Sequence, residues 1–199
     1  MRILTGKYKG KSLKTFSNHS IRPTSGLVKE AFFNICASHI KGAVFLDLFA
    51  GIGGIGFEAL SRGAAHVVFV DNSPRAVRLL HANSQLLDTE LPITILKQDV
   101  KIAMRKLVKM ERSFDLIYID PPYELENAYV SSLLEEITKY HILNTTGMLV
   151  LENASHEEIL IPGLVLRRKR KLGGTSLSEY CNTRNITLEF TKTPLSSGD

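Results

Sequence analysis

Short apolar runs and amphipathic stretches alternate along most of this chain. Val44–Leu48, Val67–Asp71, Ile93–Lys97, Phe114–Asp120 and Met148–Glu152 are dominated by Val, Ile, Leu and Phe and bounded by turn residues. Runs of that length and composition are the pattern of buried strands. Between them the spacing predicts helices: one from Ile55, one opened by Ser73 as cap with Pro74 in its first turn, one over Val100–Lys109 and one over Asn127–Tyr140. Strand alternating with helix implies right-handed crossovers, hence an α/β fold with a doubly wound, mostly parallel sheet of Rossmann-like type.

Both ends depart from this rhythm. Residues 2–16 predict a small β-hairpin, with Ile3 and Thr5 before the Gly6–Gly10 turn and Leu13 and Phe16 after it. Arg22-Pro23-Thr24 reads as a turn into a helix from Ser25 to about Ser38, with Thr24 or Ser25 as cap and Val28, Ala31, Phe32, Ile35 and Cys36 as its apolar stripe. Toward the other end, Leu164–Lys171 and Asn185–Phe190 are strand-like, with Gly173-Gly174 between them. They are expected to pair antiparallel and close one sheet edge. The expected organisation is a hairpin-and-helix extension over 1–41, a core domain over 42–191, and a polar, disordered tail over 192–199.

Charge sharpens this division. Seven of the 25 Lys/Arg fall in residues 1–29, which hold no acid, leaving 18 basic against 20 acidic residues in the rest. A second cluster, Arg167-Arg168-Lys169-Arg170-Lys171, sits in the first tail strand. Segregated cations on an acidic body are the footprint of a nucleic-acid binder, because they attract phosphates and release counterions. Lys7, Lys9 and Lys11 alternate and would meet phosphates together on an extended segment; Arg167 and Lys169 are the second set of RNA-binding candidates. Gly6-Lys7-Tyr8-Lys9-Gly10-Lys11-Ser12 imitates a phosphate-binding P-loop, but three residues separate its glycines where four are needed. Cys36 and Cys181 form no C-x-x-C pair, and the six histidines lack ligand spacing. Reduced thiols, a cytoplasmic protein and no metal are expected. No stretch reaches membrane-spanning length.

The chemistry concentrates at two strand ends. Val44–Leu48 runs into Phe49-Ala50-Gly51-Ile52-Gly53-Gly54-Ile55-Gly56, a strand–glycine turn–helix device of the kind that binds nucleotides. Gly51, Gly53 and Gly56 match a dinucleotide fingerprint with Asp71 twenty positions on. Asp47 within the strand turns the pattern toward D-x-x-x-G-x-G, that of S-adenosylmethionine-dependent methyltransferases. Asp47, Phe49, Gly51, Gly53, Asp71 and Asp99 are the candidate cofactor contacts, with Asp71 suited to the ribose hydroxyls and Asp99 to the adenine amine. Either acid can instead serve as a helix cap, Asp99 above all. The second strand end is Asp120-Pro121-Pro122-Tyr123. Consecutive prolines remove N–H groups and leave an acceptor-rich turn, suited to an exocyclic amine of a base stacked on Tyr123. These four are the candidate catalytic residues.

With Ile3–Lys11, Arg22–Ser25, Lys29–Asn34, Leu46–Gly51, Glu58–Ala64 and Asp120–Tyr123, the chain resembles the RsmD family of bacterial small-subunit ribosomal RNA guanine-N2 methyltransferases. The resemblance implies a class I methyltransferase fold, S-adenosylmethionine as cofactor, and methylation of one guanine N2 in 16S rRNA within an assembled or assembling subunit. It also implies that the hairpin and the Arg22–Thr24 turn help hold cofactor and RNA. A monomer is expected. Asp71 stands where Glu is frequent, and Gly54 adds backbone freedom where a bulkier residue is common. Three other readings stay open: an adenine-N6 methyltransferase, a non-catalytic assembly factor on the same scaffold, and, more distantly, a dehydrogenase.

Overall fold

The computed structural model describes residues 1–16, 26–122, 124–154 and 158–184. Its elements are α1 (Gly26–Ile35), β1 (Val44–Leu48), α2 (Gly54–Ser61), β2 (His66–Asp71), α3 (Pro74–Leu87), β3 (Ile93–Lys97), α4 (Val100–Lys109), β4 (Phe114–Ile119), α5 (Asn127–Lys139), β5 (Leu143–Asn153), β6 (Leu164–Leu172) and β7 (Thr175–Asn182). They form one seven-stranded sheet of order β3-β2-β1-β4-β5-β7-β6. β1 to β5 are parallel, while β7 runs antiparallel to both β5 and β6. The chain reverses direction across the sheet between β1 and β4, and in such sheets ligands bind beyond the carboxyl ends of the strands at that point.

Alternation along the strands divides the core into two layers. Phe45, Val67, Phe69, Tyr118 and Val150 face α1, α2 and α3, whereas Leu46, Leu48, Val70, Ile117, Ile119 and Leu151 face α4 and α5. The first layer is aromatic at its centre: Phe32 of α1 meets Phe45 and Tyr118 edge-on, at centroid distances of 6.1 and 4.7 Å. The predicted cap of α3 is present, Ser73 Oγ accepting from Ala76 N at 3.3 Å with Pro74 in the first turn.

The antiparallel edge is as expected, but its return strand is not where the pattern placed it. β7 begins directly after Gly174, at Thr175, and lies between β5 and β6. Its Ser176 and Ser178 are buried beside Leu177 and Tyr180, so the strand carries no polar–apolar alternation to betray it. The expected strand Asn185–Phe190 and the tail over 192–199 lie outside the described residues.

The first sixteen residues fold back on α2 and α3. A single antiparallel bridge joins Arg2 and Ser12, and Ile3, Tyr8 and Leu13 enter the aromatic core layer. Residues 7–10 form turns rather than an extended arm, which corrects the expected one-sided projection of Lys7, Lys9 and Lys11. Lys7 N donates to Ser61 O at 2.8 Å, Tyr8 N to Ser61 Oγ at 2.9 Å, and Ser61 Oγ to Thr5 O at 2.5 Å. At Gly6, whose φ is 85°, a Cβ would fall 1.7 Å from Ser61 O; only glycine permits that approach.

A buried charge cluster completes the docking. Glu58 of α2, with no exposed surface, accepts from Leu4 N (2.7 Å), Thr5 N (2.9 Å), Lys29 Nζ (2.8 Å) and Arg62 Nε (3.0 Å). Lys29, 2% exposed, also donates to Arg2 O at 2.9 Å. Burial drags Lys29 below the ordinary lysine range even beside its carboxylate. Burial would push Glu58 up, but hydrogen bonds from Lys29 and Leu4, with the Lys29 charge, outweigh it and hold Glu58 below the usual range. Lys29 therefore leaves the surface charge of the N-terminal segment and becomes part of the core.

Candidate active site

The glycine turn is held by acids and one amide. Asp47 is 2% exposed, and its Oδ2 accepts from Gly56 N at 3.0 Å, so it caps the first turn of α2 from inside the sheet. Burial, with Asp120 and Asp71 nearby, drives its carboxyl well above the usual range. Asp47 thus shapes the turn from beneath. Asp71 closes β2 with both oxygens engaged: Oδ2 accepts from Gly51 N and Oδ1 from Ser73 N, each at 2.8 Å. Burial raises Asp71 too, against the pull of those two bonds. Asn83 of α3, fully buried, donates to Ile52 O at 3.0 Å and exchanges hydrogen bonds with the Lys14 backbone at 2.7 and 3.1 Å. It ties turn, helix and N-terminal segment together. An asparagine inside a helical pattern carries no periodic signal, so the sequence did not mark it.

Backbone conformation finishes the cradle. Phe49 takes a φ of 60°, a left-handed geometry that non-glycine residues adopt at a cost. Gly51 and Gly53 follow at 55° and 82°. A Cβ on Gly53 would strike Phe57 and Leu80 within 2.7 Å, while one on Gly51 would meet nothing within 4 Å. Gly53 therefore closes the turn against the core, and Gly51 opens it. Gly54 is a space requirement rather than a hinge, since the Met1 sulfur lies 2.2 Å from where its Cβ would sit. Asp99 is the N-cap of α4, its Oδ1 accepting from Lys101 N at 2.9 Å, and it is exposed beyond β3.

Asp120 follows β4 directly, its N donating to Leu48 O at 3.4 Å, so the Asp-Pro-Pro turn stands beside the glycine turn across the switch point. Asp120, Pro121, Pro122, Leu125, Asn127, Val130, Glu152, Asn153 and Ala154 line a cavity of about 120 Å³. Glu152 was not among the sequence candidates. It sits at the end of β5, 6% exposed, and accepts a short hydrogen bond from the buried Tyr118 hydroxyl. Burial first, then Asp120 and Glu152, push Tyr118 well above the usual tyrosine range. Arg22, Thr24 and Tyr123 lie outside the described residues.

The cationic candidates separate in space. Lys7 reaches Asp88 Oδ2 at 3.4 Å, and Tyr8 Oη donates to the same oxygen at 3.2 Å. Ser61 and Asp88 close the far ends of α2 and α3, so Lys7 and Lys9 sit at the opposite end of the sheet from Asp120. Eight residues of α2 make that offset about 12 Å. Lys11 is exposed on the returning limb. On the edge strand β6, Arg167 falls at a register shift, whereas Arg170 and Lys171 pair with Leu177 and Ser176, which in turn pair with Glu152 and Asn153. The cations level with the cavity are therefore Arg170 and Lys171; Lys169 is one step below, beside Ser178 and Leu151.

A parallel sheet closed by an antiparallel pair, with a glycine turn after β1 and acids ending β2 and β4, is the class I methyltransferase fold. The solved structure of "Putative methyltransferase yhhF" from Escherichia coli shares it, with a TM-score of 0.79 over 92% of this chain and 97% of that one at 24% identity. A family profile described as "Conserved hypothetical protein 95" matches residues 1–181, and the chain belongs to that family, the RsmD family of methyltransferases. "Putative rRNA methyltransferase YlbH" of Bacillus subtilis (strain 168) is 36% identical over 182 residues, covering 90% of this chain and 98% of its own. "Ribosomal RNA small subunit methyltransferase D" of Haemophilus influenzae is 27% identical over 183 residues, covering 92% and 94%. Among the described residues no helix is long and apolar enough to cross a membrane.

Proposed function

We propose that this protein uses S-adenosylmethionine to methylate the exocyclic N2 of a guanine in small-subunit ribosomal RNA. The observation that carries the reading is the acceptor-rich Asp120-Pro121-Pro122 turn, which lines a cavity between the ends of β4 and β5 and adjoins β1 through the bond from Asp120 N to Leu48 O. The names of the relatives support the RNA substrate.

The cradle fits the cofactor. The space above Gly51 is open, and a carboxylate has about four acceptor positions, of which backbone N–H groups take two on Asp71. The remaining two suit paired ribose hydroxyls, and exposed Asp99 suits the adenine amine. The cofactor supplies a methyl activated on a sulfonium.

The protein's share is positioning and electrostatics. Asp120 and the Pro121 carbonyl accept the amine hydrogens and turn the nitrogen lone pair toward the cradle. The Asp120 charge then stabilises the positive charge that develops on nitrogen, and the product ammonium sheds its proton without a strong base. Tyr123 stacks on the base. Arg170 and Lys171 hold RNA phosphates near the mouth, with Arg167 and Lys169 extending that track along β6. Lys9, Lys11 and Lys7 meet RNA at the other end of the molecule, and Arg22 and Thr24 contact cofactor and RNA.

The test is transfer of labelled methyl to small subunits from cells lacking the enzyme. Wild-type protein is expected to label the RNA. Asp120→Ala is expected to abolish labelling while calorimetric cofactor affinity stays within a few-fold. Labelling undiminished in Asp120→Ala removes Asp120 from the chemistry.

A further inference from the structure

We propose that Glu152 reads the N1–H of the target guanine and so sets which base this site methylates. The inference rests on the guanine-N2 reading above and deepens it. Ile119 of β4 pairs with Leu151 of β5, so the next residues, Asp120 and Glu152, lie level on neighbouring strands. Both line the same cavity. Adjacent strands stand about 4.8 Å apart, which brings the two acids to neighbouring positions on the cavity wall. Tyr118, one strand over from Val150, holds Glu152 through its hydroxyl and so fixes where the carboxylate points.

Ionised carboxylates offer acceptors alone. The edge of guanine that carries N2 presents two neighbouring donors, the N2 amine and N1–H. Adenine instead presents its N6 amine beside N1, an acceptor, which a carboxylate repels. One acid for the amine and a second for N1–H therefore match guanine and reject adenine. An Asp-Pro-Pro turn by itself binds either amine. Sites built to bond an N–H reject analogues that lack it, because the buried partner is left unpaired.

The test uses small subunits reconstituted on RNA with guanine or 2-aminopurine at the position that wild-type protein methylates. 2-Aminopurine keeps the 2-amine but has an acceptor at N1. Wild type is expected to favour guanine in kcat/KM by on the order of 10–100-fold. Glu152→Gln is expected to lose most of its rate on guanine and little on 2-aminopurine, since the amide can donate to N1. Tyr118→Phe, which keeps the carboxylate but frees its direction, is expected to weaken the preference for guanine without abolishing it. Equal losses on both bases in Glu152→Gln would mean that Glu152 only supports Tyr118. If Glu152→Gln does not fold, wild type alone decides, because absence of a preference for guanine overturns the proposal. Formation of N6-methyladenosine by wild type overturns the function reading itself, and nucleoside mass spectrometry separates that failure from the others.

Discussion

Glu58→Ala tests how the N-terminal segment is held. The carboxylate serves four donors, two of them backbone N–H groups of Leu4 and Thr5, and it neutralises a lysine only 2% exposed. Removing one partner of a buried pair leaves the other charge unpaired, at a cost of about 3–5 kcal/mol. For a domain of this size each kcal/mol moves Tm by about 2–4 °C, so a fall of roughly 6–20 °C is expected. Urea unfolding followed by circular dichroism measures the same loss. Glu58→Gln, which keeps an acceptor, falls less, and adding Lys29→Met to it recovers stability because the stranded charge is gone. The pH dependence has a definite sign. Glu58 is held below its ordinary value, so its contribution is present above the unfolded carboxylate pKa and lost as pH falls through the lower folded one. Wild type therefore loses an increment of stability below about pH 4.3 that Glu58→Gln never had. A Glu58→Ala variant within about 1 kcal/mol of wild type refutes this account of the cluster.

Three further outcomes follow from the geometry. Asp71→Ala weakens S-adenosylmethionine binding by about 1–3 kcal/mol, read by calorimetry; unchanged affinity removes Asp71 from the cradle. Asp47→Asn keeps an acceptor for Gly56 N but removes the buried titratable carboxyl. Because the folded carboxyl is raised, wild type loses stability as pH climbs from the unfolded value through the folded one, so the variant's advantage grows with pH in urea titrations at pH 5 and pH 8; an advantage that shrinks with pH contradicts the assignment. Serine at Arg170 and Lys171 flattens the log–log salt dependence of RNA binding by up to about 0.7–0.9 per lost phosphate contact, with Lys7, Lys9 and Lys11 replaced as a comparison set; filter binding in which only the hairpin set changes the slope moves the RNA track to the other end of the molecule.

The parallel core was legible because β1, β3 and α4 announce themselves by short, mostly apolar runs or helical spacing, and their observed bounds match the expected ones. β7 was not, because a strand paired on both edges with serines among its buried positions mimics a loop. The glycine turn and the two acids Asp71 and Asp120 could be read from spacing to strand ends. The role of Asp47 could not, since its work is to hold Gly56 N from inside the sheet. Lys29 looked like surface charge because its partner is 29 residues away in sequence and meets it only once α1 and α2 pack. Glu152 carries no mark in the sequence for a similar reason. It closes an apolar run as an ordinary strand-end acid, and only the pairing of β4 with β5 sets it beside Asp120.

The central claim is tested most directly by identifying the nucleoside formed. Small subunits from cells lacking the enzyme would be incubated with S-adenosylmethionine and the protein, then digested to nucleosides for mass spectrometry. The account predicts N2-methylguanosine at one position with wild type and none with Asp120→Ala. N6-methyladenosine, or no methylated nucleoside from protein that binds the cofactor, contradicts it.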